Sequence, residues 1–456
     1  MMLRKNYLMN SVIIGCASLV LVACGHTAEK TSERKSINAS EKASSIASPG
    51  LSLSGQRNEN IRIMIESPAA QQVLEGTQAQ VAKVAGSSAP NANVSVVKTD
   101  KNTTGDALTF AWKDSWRAAL NFEATTPIDL TDYMTTGVVE FDLNVIELAK
   151  GGLAFKSKCV GAACERKVPY LLEGRNLIGK GWQHLSVPLQ CFQREGDNFS
   201  AVKFPFLLEA GGEGKVAIAN VNFAKTGTAN VSCPDYKTLS VTPDLLNEWW
   251  SINWWLPRHL QKLEEIKTKK NAQVIFIGDS ITQGWEKDGF NVWNHNYAKY
   301  NAVALGFGGD RTENILWRIQ HGEVEGLNPK LAVLMLGTNN TGQRQEGPES
   351  TAAGIKRNLE ELQKRLPNTK ILLLAVFPRD EKPDGEFRQL NNRVNAIISG
   401  FADNKKIFFL DINHAFLDAD GTLPKTIMPD LLHPNEQGYE IWAKAMEPTL
   451  KSLLKK

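Results

Sequence analysis

The chain has 456 residues, of which 42% are hydrophobic, 22% charged and 8% aromatic. This length predicts two or three domains, and the composition excludes a mostly disordered or fibrous chain. The 52 basic and 49 acidic residues leave a net charge of +3, which is too balanced for a nucleic-acid-binding surface. No basic block with interleaved aromatic residues supports nucleic-acid binding either.

The first residues have the layout of a secretory signal. Arg4 and Lys5 form a short positive region, and residues 7–23 are almost uncharged and mostly apolar, a stretch that is marginal as a membrane span. The run Leu21-Val22-Ala23-Cys24 resembles a bacterial lipobox. The resemblance implies a signal peptide over residues 1–23, cleavage before Cys24 and acylation of that cysteine, which would attach the protein to a membrane. A plain signal peptide and an uncleaved anchor are the alternatives.

Gly25, rather than an aspartate, follows this cysteine. By resemblance to enterobacterial sorting, it favours an exported outer-membrane lipoprotein, on the periplasmic face or at the cell surface. Residues 25–60 are rich in Ser, Ala, Lys, Glu and Asn and contain no aromatic residue. Such a segment cannot bury enough apolar surface to order itself, so we expect a flexible tether over residues 24–60.

The cysteine count bears on the compartment and on cross-links. Six cysteines become four once Cys16 leaves with the signal and Cys24 is acylated. The remaining four lie in the middle third of the chain, at Cys159, Cys164, Cys191 and Cys233. An even number in an exported chain predicts two disulfides; three pairings are open, and we expect Cys159–Cys164 with Cys191–Cys233. A zinc site is the alternative, which neither a CxxC pair nor a nearby histidine cluster supports.

Residues 61–235 contain short runs of alternating apolar and polar residues separated by Gly, Asn and Asp, which predicts an all-β sandwich. The predicted strands include residues 93–98, 107–112, 118–122, 137–143, 184–188 and 215–223. Over residues 137–223, which contain Gly181-Trp182-Gln183 and Cys191-Phe192, the sequence resembles the jelly-roll, galactose-binding-like domains appended to secreted glucan hydrolases. The resemblance implies a carbohydrate-binding-like domain without a catalytic motif.

Some aromatic residues of this region can stack on sugar rings, because the CH face of a sugar packs well on an aromatic plane. The candidates are Trp112, Trp116, Tyr133 and Trp182. The alternative for each is a place in the core or at the rim of the sandwich.

Residues 236–456 differ in character. A Trp-rich segment, 248–255, is predicted to be helical and precedes an amphipathic stretch at 258–267. Five runs rich in β-branched residues and leucine follow, at 274–277, 302–305, 331–336, 371–376 and 407–410, with helical patterns such as 354–366 and 389–401 between them. They predict an α/β domain with a flavodoxin-like, doubly wound, parallel five-stranded sheet. Ligands of such sheets bind at the carboxyl ends of the strands.

Two polar motifs follow the first two of these strands. Gly278-Asp279-Ser280 puts a serine in a tight strand-to-helix turn, where the exposed hydroxyl suits a nucleophile and the N–H suits an oxyanion donor. The glycines of Gly306-Phe307-Gly308-Gly309 let the backbone approach a ligand and offer its N–H. A helix N-cap and a plain Gly-rich turn are the alternatives.

Two further motifs follow later strands. Asn339 in Gly337-Thr338-Asn339-Asn340 can donate its amide to an oxyanion, or it can form an Asx-turn. Asp430 precedes His433 by three residues, a separation at which a carboxylate can orient an imidazole that serves as general base to Ser280. A surface hydrogen bond is the alternative for that pair.

In this order, the four motifs match the signature of the GDSL/SGNH hydrolases. Within that superfamily the sequence most resembles the catalytic subunits of platelet-activating-factor acetylhydrolase and their bacterial relatives, over nearly half of the chain. The shared stretches are residues 274–280, 306–310, 315–318, 336–340, 377–379, 392–395 and 430–433.

The resemblance implies a role for each matching residue. Ser280 corresponds to the nucleophile, His433 to the base and Asp430 to the acid that orients it, and the oxyanion hole corresponds to Ser280, Gly309 and Asn339. No metal or organic cofactor is implied. Asn340 stands where many members carry Asp, but the acetylhydrolase branch also has Asn there. The other histidines lack an acid at the matching position or are expected to be structural or exposed: His259, His295, His321 and His414.

Three functions are compatible with these patterns. Export, the sugar-binding-like domain and the acetyl-ester-cleaving relatives favour a serine esterase that removes short acyl groups, chiefly acetyl, from a carbohydrate, with the chemistry confined to residues 236–456. One alternative is a lipid-directed esterase, such as a lysophospholipase or acetyl-phospholipid hydrolase. The other is a glycan-binding envelope lipoprotein whose hydrolase domain is inactive. The oligomeric state is left open.

Overall fold

The structure is a computed structural model that describes residues 51–53, 59–68, 70–81, 93–162, 164–194 and 196–455. The expected signal peptide, Cys24 and most of the expected tether lie outside these ranges. Within them, no helix is both long enough and apolar enough to cross a membrane.

The first domain is built from antiparallel strands. Its described strands are β1 (Leu51–Ser52), β2 (Ile61–Glu66), β3 (Gln71–Val73), β4 (Gln78–Val81), β5 (Asn93–Thr99), β6 (Ala107–Ala124), β7 (Val138–Cys159), β8 (Glu165–Pro169), β9 (Trp182–Pro188) and β10 (Val202–Ala224). The order is β3-β2-β6-β10-β7-β8, with β1 beside β10, β9 beside β7, and β5 between β4 and β6. Their inward side chains form one apolar core. The predicted all-β sandwich is confirmed.

Three strands of this domain are much longer than predicted. β6, β7 and β10 have 18, 22 and 23 residues, and the pairing of β10 with β6 shifts register between Ala210 and Gly214. The strands predicted at 107–112 and 118–122 are the two halves of β6. Polar residues interrupt the alternation between them, where Asp114 adopts a positive φ of 51°. Such irregularities bend a strand without ending it.

The domain also begins earlier than predicted. Leu51 of β1 pairs with Phe223 of β10, and Leu53 is buried in the sandwich core. The expectation of a tether up to residue 60 is therefore wrong for residues 51–53, which form an edge strand and add to the core. Two leucines in a Ser-rich segment are too short a pattern to predict a strand.

Both disulfides form in the expected pairing. Cys159–Cys164 closes the turn between β7 and β8, and Cys191–Cys233 ties the segment after β9 to the segment after β10. The zinc alternative is wrong, because all four sulfur atoms are in S–S bonds.

The two disulfides are expected to contribute unequally to stability. They join residues 42 positions apart for Cys191–Cys233 and 5 apart for Cys159–Cys164, and closing a longer loop removes more entropy from the unfolded chain. Replacing both Cys191 and Cys233 by alanine is expected to lower the free energy of unfolding by about 4 kcal/mol, against about 2 kcal/mol for the other pair. Urea unfolding of the two double variants measures the difference, and equal losses would contradict the prediction.

The second domain contains a parallel sheet of five strands: β11 (Val274–Gly278), β12 (Val303–Gly306), β13 (Leu331–Met335), β14 (Lys370–Leu374) and β15 (Ile407–Leu410). The order β12-β11-β13-β14-β15 confirms the predicted flavodoxin-like, doubly wound arrangement. An apolar core covers each face of the sheet. The burial of both faces explains why the strands are continuous apolar runs in the sequence.

The described α-helices are α1 (Leu171–Arg175), α2 (Tyr236–Leu239), α3 (Trp255–Thr268), α4 (Ser280–Gln283), α5 (Phe290–Asn296), α6 (Thr312–Arg318), α7 (Thr338–Arg344), α8 (Pro348–Arg365), α9 (Glu386–Ile398) and α10 (Glu436–Lys455). The helical stretches predicted at 258–267, 354–366 and 389–401 correspond to α3, α8 and α9. The helix predicted for 248–255 is wrong: this segment forms turns, and α3 begins only at Trp255.

These turns let the tryptophans reach different neighbours in both domains. The ring of Trp249 covers a glycine floor formed by Gly152 of β7 with Gly211 and Gly212 of β10, where a Cβ atom on any of the three would overlap the ring. Trp116 of β6 packs beside it, with ring centroids 5.7 Å apart. The two domains therefore meet through an aromatic contact between Trp116 of the first domain and Trp249 of residues 248–255, which we call the connecting segment.

Candidate active site

Ser280, His433 and Asp430 form a hydrogen-bonded chain at the carboxyl edge of the parallel sheet. The Nε2 atom of His433 lies 2.8 Å from Oγ of Ser280, and its Nδ1 atom lies 2.6 Å from Oδ2 of Asp430. In this arrangement the imidazole can take the hydroxyl proton while the carboxylate holds it in the required orientation. The structure thus brings together the three residues that the sequence motifs singled out.

Ser280 is placed by the turn between β11 and α4. It is the first residue of α4, and the buried side chain of Asp279 caps this helix by accepting a hydrogen bond from the N–H of Ile281 at 3.0 Å. Burial raises the pKa of Asp279 to about 7, and its second carboxyl oxygen has no hydrogen-bond partner in the structure. This cap fixes the turn that carries the serine, whose side chain is partly buried.

A tight turn holds Asp430 and His433 together. Leu431 adopts a positive φ of 60°, and Oδ1 of Asp430 accepts the N–H of His433 at 2.7 Å and that of Leu432 at 3.1 Å. Partial burial works against ionisation of Asp430, but the hydrogen bonds from His433 and Leu432 outweigh it and lower the pKa of Asp430 to about 2. The carboxylate is therefore ionised at neutral pH.

The two other predicted oxyanion donors line the same cleft as Ser280. Gly309 has a positive φ of 78°, and a Cβ atom there would overlap the ring of Trp250, so only glycine fits this turn. Asn339 lies in the first turn of α7, and its Nδ2 donates one hydrogen bond to the carbonyl of Asp310 at 3.0 Å. Its amide group has a second N–H for a ligand.

Two glutamines that were not predicted as site residues hydrogen-bond to the segments that carry these donors. Gln343, one turn after Asn339 on α7, donates from Nε2 to Oδ1 of Asn339 at 3.1 Å and accepts from Nη1 of Arg311 at 2.7 Å. Gln283 accepts the N–H of Gly308 at 2.8 Å. The four-residue spacing between Asn339 and Gln343 is the sequence signal that identifies the first of them.

Asn340, which departs from the pattern of many family members, has a structural role. It is fully buried and accepts the N–H of Thr312 at 3.0 Å. Its amide also donates to Oε2 of Glu346 at 3.1 Å. An aspartate could not donate to that carboxylate, so asparagine suits this site and the departure does not disrupt it.

Both domains form a cleft of about 620 Å³, which is lined by the side chains of Asp430, His433 and Ser280. Trp116, Arg117, Lys167 and Glu209 line it from the first domain, and Trp249, Trp250 and Trp254 from the connecting segment. Gly309, Asn339, Gln343 and Arg379 are among the residues of the second domain that line it. The predicted catalytic positions thus all come from residues 236–456, but the walls of the cleft do not.

The predicted sugar-stacking residues differ in burial and in whether they line the cleft. The expectation for Trp112 is wrong, because it is 2% exposed and its Nε1 donates to the carbonyl of Gly211 inside the sandwich. Trp182 and Tyr133 are partly buried outside the cleft, beneath the ammonium groups of Lys101 and Lys225 respectively. Trp116 alone among them lines the cleft, and it is 65% exposed.

The four other histidines considered above do not line the cleft. His259 is buried, and burial lowers its pKa to about 4. His295, His321 and His414 lie at exposed positions. In the part of the chain that the structure describes, no group of three or more His, Cys, Asp or Glu residues is arranged to hold a metal ion.

Both domains of the chain are similar to known protein families. The sequence model of the GDSL-like Lipase/Acylhydrolase family matches residues 276–441, and a galactose-binding domain-like model matches residues 71–223. Platelet-activating factor acetylhydrolase IB subunit alpha1 of Bos taurus is 32% identical over 201 residues, which are 44% of this chain and 84% of that protein. The chain belongs to the GDSL-like lipase/acylhydrolase family, and it is a carboxylic ester hydrolase.

Two similar solved structures each cover less than half of this chain. A GDSL-like lipase from Bacteroides thetaiotaomicron covers 42% of this chain and 97% of its own, with 22% identity and a TM-score of 0.37. The extra C-terminal domain of an exo-1,3/1,4-beta-glucanase from a Pseudoalteromonas species covers 37% of this chain and 88% of its own, with 17% identity and a TM-score of 0.29.

Proposed function

We propose that this protein is a serine esterase that removes short acyl groups, chiefly acetyl, from an acylated carbohydrate. The observation that carries the proposal is the hydrogen-bonded chain Asp430–His433–Ser280 in a cleft lined by both domains. Three hydrogen-bonded side chains in this geometry are expected in an active hydrolase rather than in a glycan-binding protein without activity.

In the proposed mechanism, His433 takes the proton of Ser280 while Oγ attacks the ester carbonyl. The alcohol leaves with the proton that His433 returns, and the acyl group stays on Ser280 as an ester. A water molecule that His433 deprotonates then releases the acid and frees the serine. The N–H groups of Ser280 and Gly309 and the amide of Asn339 stabilise the oxyanion of both tetrahedral intermediates.

Replacing Asn339 by alanine is expected to lower kcat by about 10²- to 10³-fold, because one oxyanion donor is lost. KM should change far less, because this hydrogen bond is made mainly in the transition state. Steady-state kinetics with p-nitrophenyl acetate measures both constants, and Asn291→Ala, at an exposed asparagine of α5, is the matched control. A change confined to KM would contradict the proposed role.

The lining of the cleft supports a short acyl group and a polar alcohol. The cleft presents the side chains of Asn339, Gln343 and Arg379. Gln283 lines a second cavity of about 510 Å³ that Ser280 also lines. These side chains suit hydroxyl groups better than a long alkyl chain. The match of the first domain to a galactose-binding domain-like model favours a sugar as the alcohol. The names of the acetylhydrolase relatives favour acetyl as the acyl group.

Two substrate panels test the proposal. The first is a series of p-nitrophenyl esters from acetate to octanoate, and the second compares acetylated saccharides with acetyl- and lysophospholipids. We expect the highest kcat/KM for acetate in the first panel and acetate release from saccharides in the second. Preference for octanoate together with phospholipid turnover would overturn the proposal in favour of the lipid-directed esterase.

We further propose that the protein is exported and attached to the outer membrane through acylated Cys24. The two disulfides of the first domain support an oxidising compartment. Metabolic labelling with an alkyne fatty acid should mark the wild type and fail to mark Cys24→Ala. Equal labelling of both would contradict acylation at this cysteine.

A further inference from the structure

We propose that four tryptophans form an extended glycan-binding wall in the active-site cleft, and that the enzyme acts on carbohydrate chains of several sugar residues. The tryptophan wall consists of Trp116, Trp249, Trp250 and Trp254. This inference rests on the proposed function and specifies the size of the substrate and the residues outside the catalytic groups that bind it.

The four rings contact one another in the order Trp254, Trp250, Trp116 and Trp249. The rings of Trp254 and Trp250 stack with centroids 6.3 Å apart and planes inclined by 26°. The ring of Trp250 lies 6.3 Å from that of Trp116, which in turn lies 5.7 Å from that of Trp249. Trp254 and Ser280 both line the cleft and also the second cavity of about 510 Å³ at the site. These three successive ring contacts give the wall more than one aromatic ring for a bound glycan.

Contacts with both domains hold the wall in place. The ring of Trp249 rests on the glycine floor of the first domain, and the ring of Trp250 fills the space where a side chain at Gly309 would stand. The Nε1 atom of Trp254 donates to the carbonyl of Trp250 at 2.8 Å. Fixed aromatic planes bind a sugar at little cost in side-chain entropy, because few rotatable bonds remain to be ordered.

Trp116 is exposed to a degree that a role in packing does not require. Trp116 leaves 65% of its surface open to solvent although it projects into the cleft. A large exposed aromatic residue in a concave site is typical of a ligand-binding position. The wall therefore has a largely exposed ring in the domain that supplies no catalytic group, and only the ring of Trp250 links it to that of Trp254.

Charged side chains complement this ring. Lys167 and Arg117 pair with Glu209 at 3.3 and 3.7 Å, and all three line the same cleft as Trp116. Burial works against ionisation of Glu209, but Lys167, Lys156 and Arg117 lower its pKa to about 2, so it remains a charged acceptor. Sugar hydroxyls can hydrogen-bond to these groups while a CH face covers the indole.

The arrangement of the wall implies an orientation for a bound glycan chain. The esterified sugar lies beside Trp254, where its acyl carbonyl meets Ser280, and its neighbours continue along the wall towards Trp116. Binding should therefore improve with chain length until the chain covers Trp116. A monosaccharide ester would use only the catalytic end of the cleft.

The experiment measures acetate release from peracetylated β-1,4-linked gluco-oligosaccharides of one to six units, with p-nitrophenyl acetate as the small reference ester. The proteins are the full-length wild type, Trp116→Ala, Trp116→Phe and Trp182→Ala. The last is the matched control, because Trp182 lies on the same domain outside the cleft. The exposure of Trp116 makes its removal compatible with folding, which thermal unfolding of each variant checks.

We expect the kcat/KM of the wild type to rise with chain length. Trp116→Ala should lose about tenfold in kcat/KM on the longest substrate relative to its own value on p-nitrophenyl acetate, and Trp116→Phe should recover most of that loss. Trp182→Ala should match the wild type throughout. Equal kcat/KM on all chain lengths, or no selective loss in Trp116→Ala, would overturn the inference while leaving the proposed function intact. Hydrolysis of p-nitrophenyl acetate without acetate release from any saccharide would instead overturn the proposed function and with it this inference.

Discussion

Replacing Ser280 by alanine is expected to lower kcat for p-nitrophenyl acetate by on the order of 10⁶-fold, the largest effect that one substitution in this chain should produce. The hydroxyl lies 2.8 Å from Nε2 of His433 and opens into the cleft. Without Oγ no acyl-enzyme can form, and His433 is left with no group to deprotonate except water. The residual rate then comes only from binding and from the remaining oxyanion donors.

Two measurements separate loss of the nucleophile from loss of the fold. Thermal unfolding should be nearly unchanged in Ser280→Ala, because the cap of α4 comes from Asp279 and not from the serine hydroxyl. An organophosphorus esterase reagent should label the wild type covalently and leave the variant unlabelled. Ser399→Ala, at an exposed serine after α9, is the control that should keep full activity. Retention of rapid turnover by Ser280→Ala would show that another group is the nucleophile.

Replacing Asp430 by asparagine is expected to lower kcat by about 10⁴-fold, the second largest effect. Oδ2 of Asp430 lies 2.6 Å from Nδ1 of His433 and keeps the proton on that nitrogen. The amide of an asparagine would donate to Nδ1, which moves the ring proton to Nε2, and Nε2 could then no longer accept the proton of Ser280. The turn itself should survive, because the amide oxygen can still accept the N–H groups of Leu432 and His433.

The pKa of about 2 for Asp430 makes the prediction hold over a wide pH range. A carboxylate with a lowered pKa stays ionised well below neutral pH, so the wild type keeps its orienting charge throughout that range. The variant should therefore be impaired at every pH from mildly acidic to mildly alkaline. Asp411→Asn, at an exposed aspartate that caps its own turn, is the control. Recovery of the activity of Asp430→Asn anywhere in this range would contradict the assigned role.

The sequence was sufficient to predict which residues meet at the carboxyl edge of the parallel sheet. Each motif directly follows a buried strand, and parallel strands end at one edge, so Ser280, Gly309 and Asn339 had to come close together. Asp430 and His433 are near each other along the chain, and only their approach to Ser280 required the tertiary structure. Local patterns therefore carried almost all of the information about these residues.

The cleft itself could not be predicted in this way. It depends on contacts between residues far apart in the sequence, such as Trp116 with Trp250, and no periodicity encodes the pairing of two domains. The same limit applies to Trp112 and Trp116, which lie four residues apart on one strand. One is in the core and the other in the cleft, because an irregular residue, Asp114, stands between them and reverses the expected alternation.

The glycine floor beneath Trp249 limits how freely this protein can exchange its parts during evolution. Recombination is often pictured as joining folded modules through neutral linkers. Here the connecting segment carries Trp249, whose ring fits against the first domain only because Gly152, Gly211 and Gly212 have no side chain. A foreign sandwich domain with alanine or a larger residue at any of those positions would exclude the indole. The hydrolase and this sandwich are therefore expected to be inherited as a matched pair, and homologues that keep Trp249 should keep all three glycines.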